Sequence, residues 1–264
     1  MLTIHPLLRL LALLTVFVVS TASIPKPQAS APEPEPSVAP AEPTKPNVVA
    51  QGREGSLSEP EPEPEPAVIE SLEIKLSGSK LHFLASGDPG APTVLLLHGA
   101  RFSAQTWRDL GTLELLSRQG YRALALDLPG YGQSEASEIP RERVLGSLLP
   151  LISDRSVVVV SPSMSGSFSF PLLTRRSSLV AGFVPVAPAA IAPHLEAVRN
   201  TKVPTLIFWG ENDQVIPLKQ GEQLNRTLPN SRLVVLEGAK HPCYLDRPLD
   251  FHRELLQFLR SLRF

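Results

Sequence analysis

Cysteine is almost absent from this chain. Cys243 is the only one in 264 residues, so no intrachain disulfide can form and the fold must rest on its core. Excess charge of either sign is missing too: the formal net charge is −1, and no lysine- or arginine-rich run occurs. That balance excludes a field able to draw nucleic acid or an acidic lipid surface, and no nucleic-acid partner is expected. Neither zinc-type Cys/His spacing nor a phosphate-cradling glycine loop appears, so no metal and no cofactor are expected. Long apolar runs are equally scarce. Only residues 7–24, LLRLLALLTVFVVSTASI, approach the roughly 20 apolar residues that a membrane span needs.

That run divides the chain. Two readings of residues 1–24 follow from the residues alone. A cleaved signal peptide would use the small residues Ser20-Thr21-Ala22. An uncleaved anchor would keep Arg9 snorkelling at the cytoplasmic edge and span to Ile24. Both deliver the rest of the chain to the non-cytoplasmic side. Residues 25–66 are almost wholly Pro, Glu, Ala and Ser and end in EPEPEPEP. Proline removes donors and glutamates repel one another, so this stretch builds no core and reads as an extended stalk. Asn225-Arg226-Thr227 matches the N-glycosylation acceptor pattern, usable if the domain is lumenal.

Residues 67–264 alternate strand-like and helix-like segments. SLEIKL and KLHFLA form an antiparallel opening pair; TVLLLHG, YRALALDLPG, VVVVS, LVAGFVPVAP, PTLIFWG and RLVVLEG follow as strands. Helices are expected over SAQTWRDLGTLELLSRQG, RERVLGSLLPLIS, residues 164–176, residues 217–228 and the terminal PLDFHRELLQFLRSL. Such alternation implies right-handed crossovers and a mostly parallel central sheet with helices on both faces.

Chemistry in such a sheet gathers beyond the C-terminal ends of the strands. Four strand ends carry suggestive residues: His98-Gly99, Ser163, Asp213 and His241. Ser163 is the candidate nucleophile, because the run VVVV stops in SPSMSG, a cluster of small residues able to form a sharp strand-to-helix turn. Ser161 and Ser165 stand where the G-x-S-x-G elbow has glycines, and only Gly166, one place on, is retained. Ser165 is the weaker rival, since it falls where the helix has begun. Asp213 would orient a histidine, with Glu211 as rival and Asp127 as a turn residue. His241 is the general base and acid. The backbone N–H groups of Ala100 and Met164 form the expected oxyanion hole, with His98 bracing that loop. Met164 is expected to crowd the acyl pocket, with Phe102 or Trp107 as a wall, and Cys243 reads as a buried, inert thiol.

The motifs LLLHGARFSAQTW, ALDLPGYGQS, SPSMSGSFSFPLL, FWGENDQ and KHPCYLDRP together resemble the α/β-hydrolase superfamily, and within it the fourteenth α/β-hydrolase-domain-containing subfamily. The apolar run and Pro/Glu stalk make the chain similar to that subfamily's membrane-anchored A branch. The resemblance implies a single-pass type II anchor over residues 1–24, a hydrolase domain over 67–264, and the triad Ser163, Asp213 and His241. Only AAIAPHLEAVRNTKV separates two strands where many such hydrolases insert a lid, so no large lid and a relatively open site are expected. The expected activity is hydrolysis of small acyl esters, thioesters or amides through an acyl-enzyme on Ser163, with a non-water acyl acceptor as a variant. The alternative is a catalytically weak binding or adhesion module displayed on the stalk. The partners this implies are a small-molecule acyl substrate and a membrane.

Overall fold

The computed structural model describes residues 67–264; the expectations for residues 1–24 and 25–66 lie outside the described residues. Eight strands form one sheet: β1 Ile69–Leu76, β2 Ser79–Ser86, β3 Thr93–Leu96, β4 Arg122–Leu126, β5 Val157–Pro162, β6 Val180–Val186, β7 Thr205–Gly210 and β8 Ser231–Leu236. Their spatial order is β1-β2-β4-β3-β5-β6-β7-β8. β1 pairs antiparallel with β2, and β2 with β4; every later pairing is parallel.

Eight α-helices accompany the strands among the described residues: α1 Gln105–Asp109, α2 Thr112–Arg118, α3 Arg141–Ile152, α4 Gly166–Arg175, α5 Leu195–Val198, α6 Leu218–Thr227, α7 Cys243–Asp246 and α8 Pro248–Ser261. The unbroken valine run of β5 is explained by burial on both sides. Val157 and Val159 pack with Leu145 and Leu148 of α3, Phe170 of α4 and Leu224 of α6. Val158 and Val160 pack with Trp107 of α1, Leu116 of α2 and Phe251 and Leu255 of α8. A strand with a core on each face has no polar face to alternate with, hence four β-branched residues in a row.

Two expectations need correction. The single helix expected over residues 103–120 is two short ones, because Gly111 adopts φ 73 and turns the chain between α1 and α2. The helix expected from residue 164 starts as a 3-10 turn, Ser163–Ser165, before α4 begins at Gly166. Between β6 and β7 the chain forms only a 3-10 turn, Ala192–His194, and the one-turn helix α5. That is the short connection expected, and among the described residues no lid domain is inserted between β6 and β7. Among the described residues, no helix is long and apolar enough to cross a membrane.

Candidate active site

The β5–α4 junction is built around strain. Ser163 has φ 50, a left-handed conformation unusual for a residue with a Cβ. The residues around it make this turn possible. Gly166 lies so close to the Ala189 carbonyl that a Cβ there would collide with it, so the glycine displaced from its usual place still serves a close approach. The two serines that replace the elbow glycines are fully buried. Ser161 Oγ lies 3.0 Å from Ser165 Oγ and 2.7 Å from Ser169 Oγ, and Ser165 Oγ donates to the Pro162 carbonyl at 2.7 Å. Their hydroxyls, which would otherwise be orphaned in the core, satisfy one another and tie β5 to α4. Ser169 was not expected to take part, although serines at 161, 165 and 169 repeat every fourth residue, a spacing that stacks side chains on one helix face.

Three of the residues read from the sequence meet here. His241 Nδ1–H donates to Asp213 Oδ2 at 2.8 Å, and Ser163 Oγ–H donates to His241 Nε2 at 2.8 Å. The Asp213 carboxylate is buried, and its second oxygen accepts from the N–H groups of Val215 and Ile216 at 2.8 and 2.9 Å. Those bonds fix the acid, the acid fixes the imidazole tautomer, and the imidazole is left with an acceptor facing the serine. Ser163, Met164 and His241 are each half-buried.

The rivals lie elsewhere. Ser165 is buried and its hydroxyl is committed to Pro162. Glu211 is exposed and accepts from the Gly238 N–H at 2.9 Å. Asp127 is buried and accepts from His82 Nδ1 and from the N–H groups of Ala104 and Gln133, which fits a turn residue that pins loops. Cys243 is buried, and burial, aided by the nearby Asp213 charge, pushes its thiol up to about 12, which leaves it protonated and inert.

The loop after β3 approaches the serine from the other side. A Cβ added to Gly99 would sit 3.5 Å from the Ser163 Cβ and 3.3 Å from the Phe102 ring. His98 is fully buried: its Nδ1–H donates to the Gly99 carbonyl at 2.8 Å, and its Nε2 accepts from the Leu128 N–H at 3.0 Å. The acceptor role of Nε2 requires the neutral ring, and burial lowers the His98 pKa. In a trans peptide the carbonyl and the following N–H point opposite ways. Holding the Gly99 carbonyl therefore fixes the direction of the Ala100 N–H.

The Phe102 ring stands against Gly99, on the Ser163 side of the loop. Trp107 does not: it is fully buried, donates Nε1–H to the Leu97 carbonyl at 2.7 Å and stacks on Tyr244, so it supports the loop from behind. Asn225 lies in the last turn of α6, half-buried, where its Oδ1 accepts from Ser231 Oγ at 3.0 Å. A concavity of about 520 Å³, lined by Pro92, Thr93, Leu151, Ile152, Ser156 and Phe264, lies at the opposite ends of β3 and β5 from Ser163. Ser163 therefore lies outside that hollow. Among the described residues, no group of three or more His, Cys, Asp or Glu side chains could hold a metal ion.

Comparison with known proteins agrees with this architecture. Residues 94–200 match the family model described as "Alpha/beta hydrolase family", and residues 169–248 match a second, "alpha/beta hydrolase fold". A human protein named "Putative protein-lysine deacylase ABHD14B" is 43% identical over 204 residues, covering 72% of this chain and 95% of that protein. The chain belongs to the ABHD14 family of α/β-hydrolases. Human "Protein ABHD14A" is 46% identical over 175 residues, 64% of each chain. Among solved structures, a "predicted CIB-like hydrolase" from Thermoplasma acidophilum superposes with a TM-score of 0.71 at 25% identity, over 74% of this chain and all of that one.

Proposed function

We propose that this member of the family is a serine hydrolase that removes acyl groups through a covalent intermediate on Ser163. The observation that carries the reading is the hydrogen-bond chain from a strained, half-buried serine through His241 to a buried Asp213. Ser163 Oγ attacks the acyl carbonyl while His241 Nε2 takes its proton, and the Asp213 carboxylate stabilises the imidazolium. Negative charge on the former carbonyl oxygen is met by the N–H groups of Ala100 and Met164, each contributing about 3–4 kcal/mol. His241 then protonates the leaving group, which departs and leaves acyl-Ser163. Water, deprotonated by His241, attacks that ester and releases the acid; a nucleophilic acceptor other than water would enter by the same route.

The substrate class follows from two features. No lid is inserted over Ser163 among the described residues, which suits an acyl group projecting from a large molecule. A relative of this chain is named for deacylation of protein lysine. We therefore infer that the substrate is a short acyl group on a flexible tether, with the acylated lysine side chain of a protein as the leading case and small esters as surrogates. Incubation with an activated acetyl ester and with an acetyl-lysine peptide tests this. Intact-mass analysis should show one acetyl group per chain, located on Ser163, and Ser163→Ala should abolish both the adduct and turnover. Turnover retained in Ser163→Ala would overturn the reading.

We infer further that residues 1–24 hold the domain at a membrane, on the strength of their hydropathy and the stalk that follows. The full chain should then resist extraction by alkaline carbonate. Free protein beginning near Ser23 would favour signal cleavage, and a glycan on Asn225 would report a lumenal domain.

A further inference from the structure

Four non-glycine residues among those described have positive φ: Ser77, Ser163, Ala187 and Ala190. Ser77 is in the β1–β2 hairpin turn. The other three belong to two turns that touch. The turn 187–190, which follows β6, is pressed against the Ser163 elbow. Ala187 is fully buried and its N–H donates to the Phe208 carbonyl of β7 at 2.9 Å. The Ala189 N–H donates to the Ser163 carbonyl at 2.8 Å. On its other side the turn fills the space that a Cβ on Gly166 would need. Strain of this kind persists only where the surroundings over-determine it, and nothing in the APAA sequence of the turn demands left-handed backbone.

The Ser163 carbonyl and the Met164 N–H belong to one peptide unit. Whatever holds the carbonyl aims the N–H in the opposite direction. The Ser163 carbonyl also accepts from the Gly166 N–H inside the elbow, but that bond is internal to the turn and moves with it. The bond from Ala189 is the one that ties the peptide to β6 and β7, the rigid centre of the sheet. The arrangement repeats the one on the opposite loop, where His98 holds the Gly99 carbonyl and so orients Ala100.

We propose that the strained turn 187–190 is a positioning device, in which the Ala189 N–H clamps the Ser163 carbonyl, holds Ser163 at its left-handed φ and aims the Met164 N–H at the oxyanion. This inference rests on the acyl-enzyme reading of Ser163. The turn touches no substrate, and its strain is the consequence of reaching the elbow from the end of β6. Preorganised donors matter in proportion to how little they must move as charge develops.

Two variants test it. Ala189→Pro removes the donor, and the pair Ala187→Gly with Ala190→Gly keeps the donor but lets the turn relax. Each is assayed for kcat, KM, thermal melting and inhibition by a trifluoromethyl ketone, whose tetrahedral adduct places an oxyanion in the site. Ala189→Pro should lower kcat at least about thirtyfold and the double glycine variant about three- to tenfold. KM should stay within about twofold, and the ketone should bind more weakly in step with kcat. The double glycine variant should melt close to the parent, because glycine adopts these angles without cost. Should the proline variant fail to fold, the double glycine variant decides alone. Parental kcat in folded variants, or a fall in kcat matched only by a fall in melting temperature with ketone affinity unchanged, would overturn the proposal. A catalytically active Ser163→Ala measured alongside would instead overturn the acyl-enzyme reading.

Discussion

Among the described residues, two Ser–His–Asp hydrogen-bond chains have nearly the same dimensions. In one, Ser163 meets His241 at 2.8 Å and His241 meets Asp213 at 2.8 Å. In the other, Ser71 meets His82 at 2.9 Å and His82 meets Asp127 at 2.8 Å. Both acids are buried, and both accept further backbone N–H bonds. They differ in the backbone that carries the serine. Ser71 sits within the regular ladder of β1, opposite Leu84, with its strand neighbours on either side. Ser163 sits on a strained elbow at the start of a helix, with the Gly99–Ala100 loop facing it. A hydroxyl hydrogen-bonded to a histidine is thus common property of the two; the proposed oxyanion donors flank only one. On the proposed reading, the elbow and its clamps, beyond the three side chains, are what separate a catalytic site from a structural network.

Substitutions should pull the two chains apart. The largest effect is expected from His241→Ala, which should lower kcat/KM for an activated ester about 10⁴-fold or more, with Asp213→Asn losing about one to two orders less because it only orients the base. Folded His82→Ala should keep kcat within about twofold, and steady-state kinetics on the full chain distinguishes the two histidines. Asp127→Ala should act on the fold instead. It strips His82, Ala104 and Gln133 of a buried acceptor and should cost about 3 kcal/mol or more, a fall in melting temperature of roughly 10 °C by calorimetry.

A chain-length series sharpens the picture of the site itself. Sheltering a long acyl chain gains about 0.8 kcal/mol per buried CH₂, and residues 189–203 supply little surface for it. The ratio kcat/KM should peak between acetyl and butyryl esters; a steady climb towards palmitoyl would contradict the proposed open site.

The smallest effect concerns acid. Burial lowers the pKa of His98, His194 and His252. The unfolded chain therefore takes up protons at these sites before the folded one does, and stability should fall as pH drops below about 6.5, with no contribution from these groups above it. Melting temperatures across pH 7.5 to 5 should show this slope, and His252→Gln should make it shallower.

Much of this was readable in the residues. VVVV ending in SPSMSG announces a strand with a core on each face that stops in a turn of small side chains, and the order Ser, Asp, His at successive strand ends follows from the alternating fold. Local signals were enough because each of those residues is placed by its own strand. Other features depend on what the fold brings near. The strain at Ala187 and Ala190 arises from packing the end of β6 against α4, and alanine carries no mark of it. The retreat of Trp107 from the pocket depends on the Leu97 carbonyl and the Tyr244 ring, which lie in separate segments. Gly111 was visible in the sequence, yet only its φ shows that it breaks the helix rather than riding within it.

The central claim is that one of two similar serines is a nucleophile because of its backbone. Labelling with a fluorophosphonate, followed by peptide mapping, addresses it directly, since the reagent needs an activated serine and places a phosphoryl oxygen among the oxyanion donors. The native chain should carry label on Ser163 alone, Ser71→Ala should label at the native rate, and Ser163→Ala should carry none. Label on Ser71, or label retained by Ser163→Ala, would contradict the account.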